Sequence, residues 1–226
     1  MAKTYTIAID GPAGAGKSTI ARALAAELGY YYVDTGAIYR TVAYFLDLLG
    51  ISPKDADGVE RYLDELTVGI EYDESGKQHM IMNGMDVTDD IRTQDISQKA
   101  SLVSAHALVR DMLLDMQRDV AKKHNVIMDG RDIGTVVLPK ATVKIFLTAS
   151  AEVRAKRRVE ELIAKGQKAE FKQVLKEIEQ RDYQDSHRAI APLKQAKDAV
   201  LLDTSELDIP GVVARMEQII GEKISL

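Results

Sequence analysis

The run Gly11-Pro12-Ala13-Gly14-Ala15-Gly16-Lys17-Ser18 fits the spacing G-x-x-x-x-G-K-S/T, and Thr19 follows it directly. Glycines at these places let successive backbone N–H groups turn inward around an anion. A helix starting at Ser18 aims the positive end of its dipole at the same spot. Lys17 has the length to reach the β and γ phosphates of a triphosphate, and Ser18 is placed to ligate Mg2+. Gly11 to Thr19 are therefore the expected phosphate-binding segment. A second candidate for the metal is Asp129, which ends the apolar run Val126-Ile127-Met128 and can hold waters of a Mg2+ shell.

A loop of this kind works only between a strand that leads in and a helix that leads out. Thr4 to Asp10 is an apolar, β-branched run, and Ser18 to Leu28 is an Ala- and Leu-rich helical stretch stopped by Gly29. Further short strands are expected at Tyr30 to Val33, Val126 to Met128, Val143 to Leu147 and Ala199 to Leu202, with helices over Ile38 to Leu49 and Ala105 to Lys123. Leu108, Val109, Met112, Leu113, Met116 and Val120 keep the helical spacing that buries one face. Strands alternating with helices imply an α/β fold of three layers, a central parallel sheet flanked by helices as in P-loop NTPases.

Two segments depart from that rhythm. Thr67 to Tyr72, Gln78 to Met82 and Met85 to Val87 are short strand candidates around the turn signals Glu74-Ser75-Gly76 and Asn83-Gly84, which predicts an antiparallel insertion. Ala151 to Tyr183 is a helical zone dense in Arg, Lys and Glu, broken at Gly166.

Composition narrows the function. With 226 residues, 46% hydrophobic and 29% charged, the chain can bury one large core. A net charge of −5 argues against a general binder of polymeric nucleic acid or of membrane surfaces, which needs surplus Lys and Arg. Zero cysteines exclude disulfides and thiolate chemistry and fit a reducing cytoplasm, and four scattered histidines make poor zinc ligands. The start Met-Ala-Lys-Thr-Tyr-Thr lacks an apolar signal core, so the N-terminus is expected to belong to the fold, and no apolar run of about 18 residues could span a bilayer. With no heptad seam, a monomer is expected. The guanine signature of GTPases is missing, since Ala196-Lys197-Asp198 precedes its strand and has Ala where Asn or Thr belongs.

The ordered set Gly11 to Thr19, Asp34-Thr35-Gly36-Ala37-Ile38-Tyr39-Arg40, Asp129-Gly130-Arg131-Asp132-Ile133-Gly134-Thr135 and Arg181-Asp182 resembles the bacterial cytidylate kinase family, and the resemblance covers essentially the whole chain. It implies a nucleoside monophosphate kinase that moves the γ-phosphate of ATP onto CMP or dCMP with Mg2+. It also implies one P-loop kinase unit over residues 1–226, with a core at 1–40, 104–150 and 185–226. A monophosphate-binding region carrying the antiparallel insertion would occupy about 41–103, with Arg92-Thr93-Gln94 at the insertion's exit. A lid with its following helix would occupy about 151–184. Thr35 stands where family members often have Ser; the hydroxyl is kept and a methyl added.

An acceptor monophosphate carries between one and two negative charges at neutral pH, so its oxygen is already nucleophilic and no catalytic base is needed. The requirement is cations that bring two phosphates together. Arg40, Arg131 and Arg188 match the family positions that hold the acceptor phosphate. Lys17, Arg131, Arg157 and Arg188 are the expected catalytic cations. Arg154, Arg157 and Arg158 open the expected lid helix, and Arg157 is the one expected to reach the transferring group. Asp132, Arg110 and Ser101 match positions that read cytosine through N4, N3 and O2, while Asp185 and Arg181 match the sugar site. Thr35, Tyr39 and Gly130 complete the expected acceptor pocket.

Overall fold

Apolar side chains alternate along the central strands because both faces of the sheet are covered. β1 (Thr6–Asp10) sends Ile7 and Ile9 to one face and Ala8 to the other. β6 (Val126–Gly130), fully buried, sends Ile127 to the first face and Val126 and Met128 to the second. With β2 (Tyr31–Asp34), β7 (Val143–Thr148) and β8 (Val200–Asp203) they form a five-stranded sheet in the order β2-β6-β1-β7-β8, parallel at every pairing. The computed structural model describes residues 4–224. Met1 to Lys3, part of the expected N-terminal segment, and Ser225 and Leu226, the end of the expected 1–226 unit, lie outside the described residues.

Against the Ile7 face pack α1 (Lys17–Leu28), through Ile20 and Leu24, and α8 (Ile209–Gly221), through Met216 and Ile219. The Ala8 face is covered by α2 (Thr35–Leu48), α3 (Ala56–Leu63), α4 (Gln94–Val103) and α5 (Ala107–Lys123), through Ile38, Val42, Leu46, Val59, Ile96, Val109 and Leu113. This is the three-layer α/β arrangement expected. Of these helices, α3, α4 and α8 lie outside the stretches that the sequence predicts as helical. α2 begins three residues earlier than expected, because Asp34 Oδ1 accepts from Ala37 N at 2.8 Å and caps it across Gly36.

The insertion is an antiparallel sheet β3 (Val68–Tyr72), β4 (Gln78–Met82) and β5 (Met85–Asp86), in that order. Asn83 and Gly84 take φ of 49° and 82°, the backbone that a two-residue hairpin turn demands. The insertion does not hang free: Met80 and Met82 join the core, Tyr72 OH donates to Tyr32 O at 3.0 Å, and Gln78 Oε1 accepts from Asp34 N at 2.7 Å.

The basic zone is two helices, α6 (Ala151–Ala164) and α7 (Phe171–His187), separated at Gly166 with φ 73°. Ser150 Oγ caps α6 by accepting from Val153 N at 3.2 Å. Ala155, Leu162, Val174 and Ile178 form a small core of their own between the two helices, apart from the two large ones. No helix of the described residues is long and apolar enough to cross a membrane.

Candidate active site

The carboxyl ends of the parallel strands bring the sequence candidates together, the usual ligand side of such a sheet. Gly11 leaves β1 with φ 151°, and a Cβ there would lie 1.9 Å from Leu147 O, so only glycine lets the loop pass β7 this closely. Gly14 and Gly16 follow at φ 73° and 86°, and Gly16 starts α1 without any side-chain cap. The first turn of α1 also carries no acidic residue, which leaves its positive dipole end unopposed at the loop. Pro12, Ala13 and Ala15 are buried, whereas Thr19 is exposed. Lys17 folds back to donate to Pro12 O at 2.7 Å. Burial, and after it the nearby Arg131 guanidinium, bring its ammonium down to about 7.

Ser18 Oγ donates to Asp129 Oδ2 at 2.9 Å, and Tyr32 OH donates to Asp129 Oδ1 at 2.7 Å. Burial raises the Asp129 carboxyl above its ordinary value, with Asp34 adding to the effect. Among the described residues no cluster of three or more His, Cys, Asp or Glu side chains could hold a metal. One hydroxyl and one carboxylate suit Mg2+, which keeps most of its waters and takes its other oxygens from phosphates. Thr35 Oγ1 donates to Asp129 O at 2.7 Å, so the added methyl leaves that hydroxyl committed to the end of β6. A Cβ on Gly130 would lie 2.7 Å from Thr35 Oγ1 and 2.6 Å from Ile133 Cδ1, which leaves room only for glycine between them.

Beside this lies a group of guanidinium side chains. Arg131 Nε donates to Asp185 Oδ2 at 2.9 Å, and Ser101 Oγ donates to Asp185 Oδ1 at 3.2 Å. Burial disfavours the ionised Asp185, but Arg131 and Arg181 outweigh it and hold the carboxyl below its usual value. Arg40 Nη2 donates to Asp34 Oδ2 at 3.0 Å, while its Nε is buried without a partner. Arg181 Nε is likewise buried and partnerless. Burial, then Arg131, bring the Arg181 guanidinium down to about 10. Two buried N–H donors among crowded cations suit the binding of an anion.

Further along the cleft, Asp132 lies between two arginines. Arg110 Nη2 pairs with Asp132 Oδ2, and Arg188 Nη2 donates to Asp132 Oδ1 at 3.1 Å. Burial still raises the Asp132 carboxyl. Arg188 Nη1 reaches Ser104 Oγ at 3.0 Å, so Ser104 lines this corner while Ser101 turns to Asp185. Arg110 lies over the Tyr39 ring, 5.6 Å from its centre. A cavity of about 250 Å3 opens here, lined by Tyr39, Arg110, Asp111, Leu114 and Val136.

The model of the cytidylate kinase family matches residues 7–222. The chain belongs to the cytidylate kinase family. Cytidylate kinases of Exiguobacterium sp. and Carboxydothermus hydrogenoformans are 48% and 49% identical to it, covering 98% and 96% of this chain and 99% and 97% of their own. An uncharacterized protein from Eubacterium ventriosum shares the fold at TM-score 0.54 and 14% identity, over 97% of this chain and 99% of that one. As a cytidylate kinase family member the protein is a nucleoside monophosphate kinase, a phosphotransferase.

The three arginines of α6 part company. Arg154 turns to the phosphate loop, with Nη1 donating to Ala13 O at 2.9 Å. Arg157 turns away from that loop and donates to Thr204 O at 2.6 Å and Leu207 O at 3.3 Å. Arg158 pairs with Glu161 on the surface at 2.8 Å. The site also contains Asp10, Tyr32, Asp34 and Ser104, which the sequence does not assign to it, while Arg154, named among the lid arginines, is the one of the three that meets the phosphate loop. Asp10 accepts from Ile133 N and Gly134 N, both at 2.7 Å, and so holds the turn that follows Asp132. That turn is a π-type turn, with Leu138 N donating to Ile133 O at 2.7 Å. Asp34 alone carried a sequence signal, as the cap before Gly36.

Proposed function

We propose that the enzyme transfers the γ-phosphate of ATP to CMP or dCMP, giving ADP and CDP or dCDP, with Mg2+ required. The observation that carries this reading is the pair of buried, partnerless Nε atoms of Arg40 and Arg181 beside Arg131 and Lys17. That group suits a second phosphate presented end-on to the first, and the curated relatives named as cytidylate kinases supply the base.

In this reading Gly11 to Thr19 cradle the donor, and Lys17, recharged by the phosphates, follows the γ-phosphoryl group. Ser18 and Asp129 would hold Mg2+, which when bound neutralises donor charge and sets the phosphates in line. Arg40, Arg131 and Arg181 grip the acceptor phosphate; Arg181 takes the place expected for Arg188, because Arg188 is committed to Asp132 and Ser104. Asp185 and Ser101 face the sugar. Tyr39, Arg110, Asp132 and Arg188 form the base pocket, where Asp132 offers a carboxylate oxygen to the N4 amino group. Uracil would present an oxygen to that carboxylate, and an unpaired or opposed buried group costs roughly 1–3 kcal/mol.

The helical pair α6–α7, with its separate small core, acts as the lid over residues 151–184. The remainder forms one P-loop kinase unit with the insertion as part of the monophosphate-binding region. Arg157 serves the transferring phosphoryl group only if lid closure releases its bonds to Thr204 and Leu207. The enzyme works as a monomer in the cytoplasm.

The test is ADP release from ATP and Mg2+ over a panel of CMP, dCMP, UMP, dTMP and shikimate. Cytidine nucleotides are expected to give the highest kcat/KM. A chain that bound ATP yet formed no diphosphate from either cytidine nucleotide would overturn the reading.

A further inference from the structure

Arg154 is the one α6 arginine whose guanidinium joins three separate parts of the molecule. It is 5% exposed. Nε donates to Ala149 O at 2.9 Å, at the exit of β7. Nη1 donates to Ala13 O at 2.9 Å, in the phosphate loop. Nη2 pairs with Asp182 Oδ2 at 2.7 Å, on α7. The contact is close: a Cβ on Gly14 would lie 3.5 Å from Arg154 Cβ and 3.9 Å from Ile178 Cδ1, so α6 and α7 both face the loop.

Asp182 follows Arg181 directly and precedes Asp185 by three residues, so it shares a helical turn with both. Asp185 in turn accepts from Arg131 at 2.9 Å. A continuous series therefore runs from the Ala13 carbonyl through Arg154 and Asp182 to the segment of α7 that carries Arg181 and Asp185. Arg can bridge a carbonyl and a carboxylate at once because its donors sit in a rigid planar fork; Lys, a single ammonium on a flexible stem, cannot hold both in fixed relation.

We propose that Arg154 is a positioning residue that couples the two nucleotide sites, so that a donor seated on the phosphate loop fixes α7, and with it Arg181 and Asp185, for the acceptor. The inference rests on the kinase reading above but adds a coupling that this reading does not require. Arg154 touches neither reacting phosphate in this role. Linkage makes the effect reciprocal: if ATP tightens CMP binding by some factor, CMP tightens ATP binding by the same factor.

The experiment measures CMP affinity by calorimetry with and without a non-hydrolysable ATP analogue and Mg2+, in the wild type, Arg154→Lys, Asp182→Asn and the double variant. The wild type is expected to show coupling of at least about fivefold, within the usual range for linked sites. Each single variant should bring the factor close to one, and the double variant should lower it no further, since both act through one bridge. Should Arg154→Lys fail to fold, Asp182→Asn carries the same comparison, because Asn keeps the size of Asp. A coupling factor of one in the wild type, or one unchanged in either folded variant, overturns the inference. Either result would leave the kinase reading intact as long as CDP forms, whereas no CDP from the wild type would sink the kinase reading instead.

Discussion

Arg131 Nε donates to Asp185 Oδ2 at 2.9 Å, so a single ion pair joins the end of β6 to the last turn of α7. This pair lies among Lys17, Arg40 and Arg181, where burial and like charge lower both Lys17 and Arg181. Arg131 is the cation that acts on both lowered groups, and the proposed transfer would set it beside both phosphates.

Arg131→Ala is therefore expected to lower kcat/KM for CMP by roughly 10² to 10³, the usual loss for removing one preorganised donor to transition-state charge. Arg131→Lys should recover only part, since the fork is lost while the charge remains. Steady-state kinetics with CMP varied at saturating ATP checks this; a kcat/KM equal to the wild type would remove Arg131 from the mechanism.

Asp132→Asn should narrow the CMP-to-UMP ratio of kcat/KM by about ten- to a hundredfold, the worth of one buried polar mismatch. Because Arg110 and Arg188 both rely on this carboxylate, the variant should also be less stable. The ratio is the quantity to read, because it does not depend on the fraction of protein that is folded. An unchanged ratio would mean that Asp132 does not read the base.

Asp10 supplies a pH test free of substrate titration. Burial holds its carboxyl at about 6 against an ordinary 3.8, despite the N–H groups of Ile133 and Gly134. A carboxyl whose folded pKa lies above its unfolded value stabilises most when protonated. Asp10 thus contributes most below about pH 4, and that contribution is lost as pH rises through about 6, a swing of about 3 kcal/mol. Asp10→Asn loses one acceptor at every pH but titrates at none. Urea unfolding should therefore show the variant gaining on the wild type by about that amount between pH 4 and 7. A difference that stays constant across this range would contradict the assignment.

The phosphate loop was legible in the sequence because its information is contiguous: glycines, Lys17 and Ser18 follow one another between a strand and a helix that local pattern reveals. The antiparallel insertion was legible for the same reason, since Asn83-Gly84 encodes its own turn. Asp10 was not legible as a site residue, and Arg154 was legible only as one of three lid arginines. Asp10 reads as the last residue of a strand, and its meaning depends on a turn more than 120 residues away. Arg154, Arg157 and Arg158 look alike along the chain, and only the rotation of α6 on its small core sends one to the loop, one to Thr204 and one to the surface. Ser101 and Ser104, three residues apart on one helix end, differ likewise in which carboxylate or guanidinium the packing brings to them.

In the proposed reaction two nucleotides lie with their phosphates end to end across this cation group. Adenosine and cytidine joined 5′ to 5′ through five phosphates would span both places at once, and calorimetry with Mg2+ measures its grip directly. The expected result is one molecule per chain, competition with both ATP and CMP, and binding at least about 10² tighter than either alone, as linked ligands achieve when both sites are engaged. Affinity no better than that of ATP, with CMP still able to bind alongside, would contradict it.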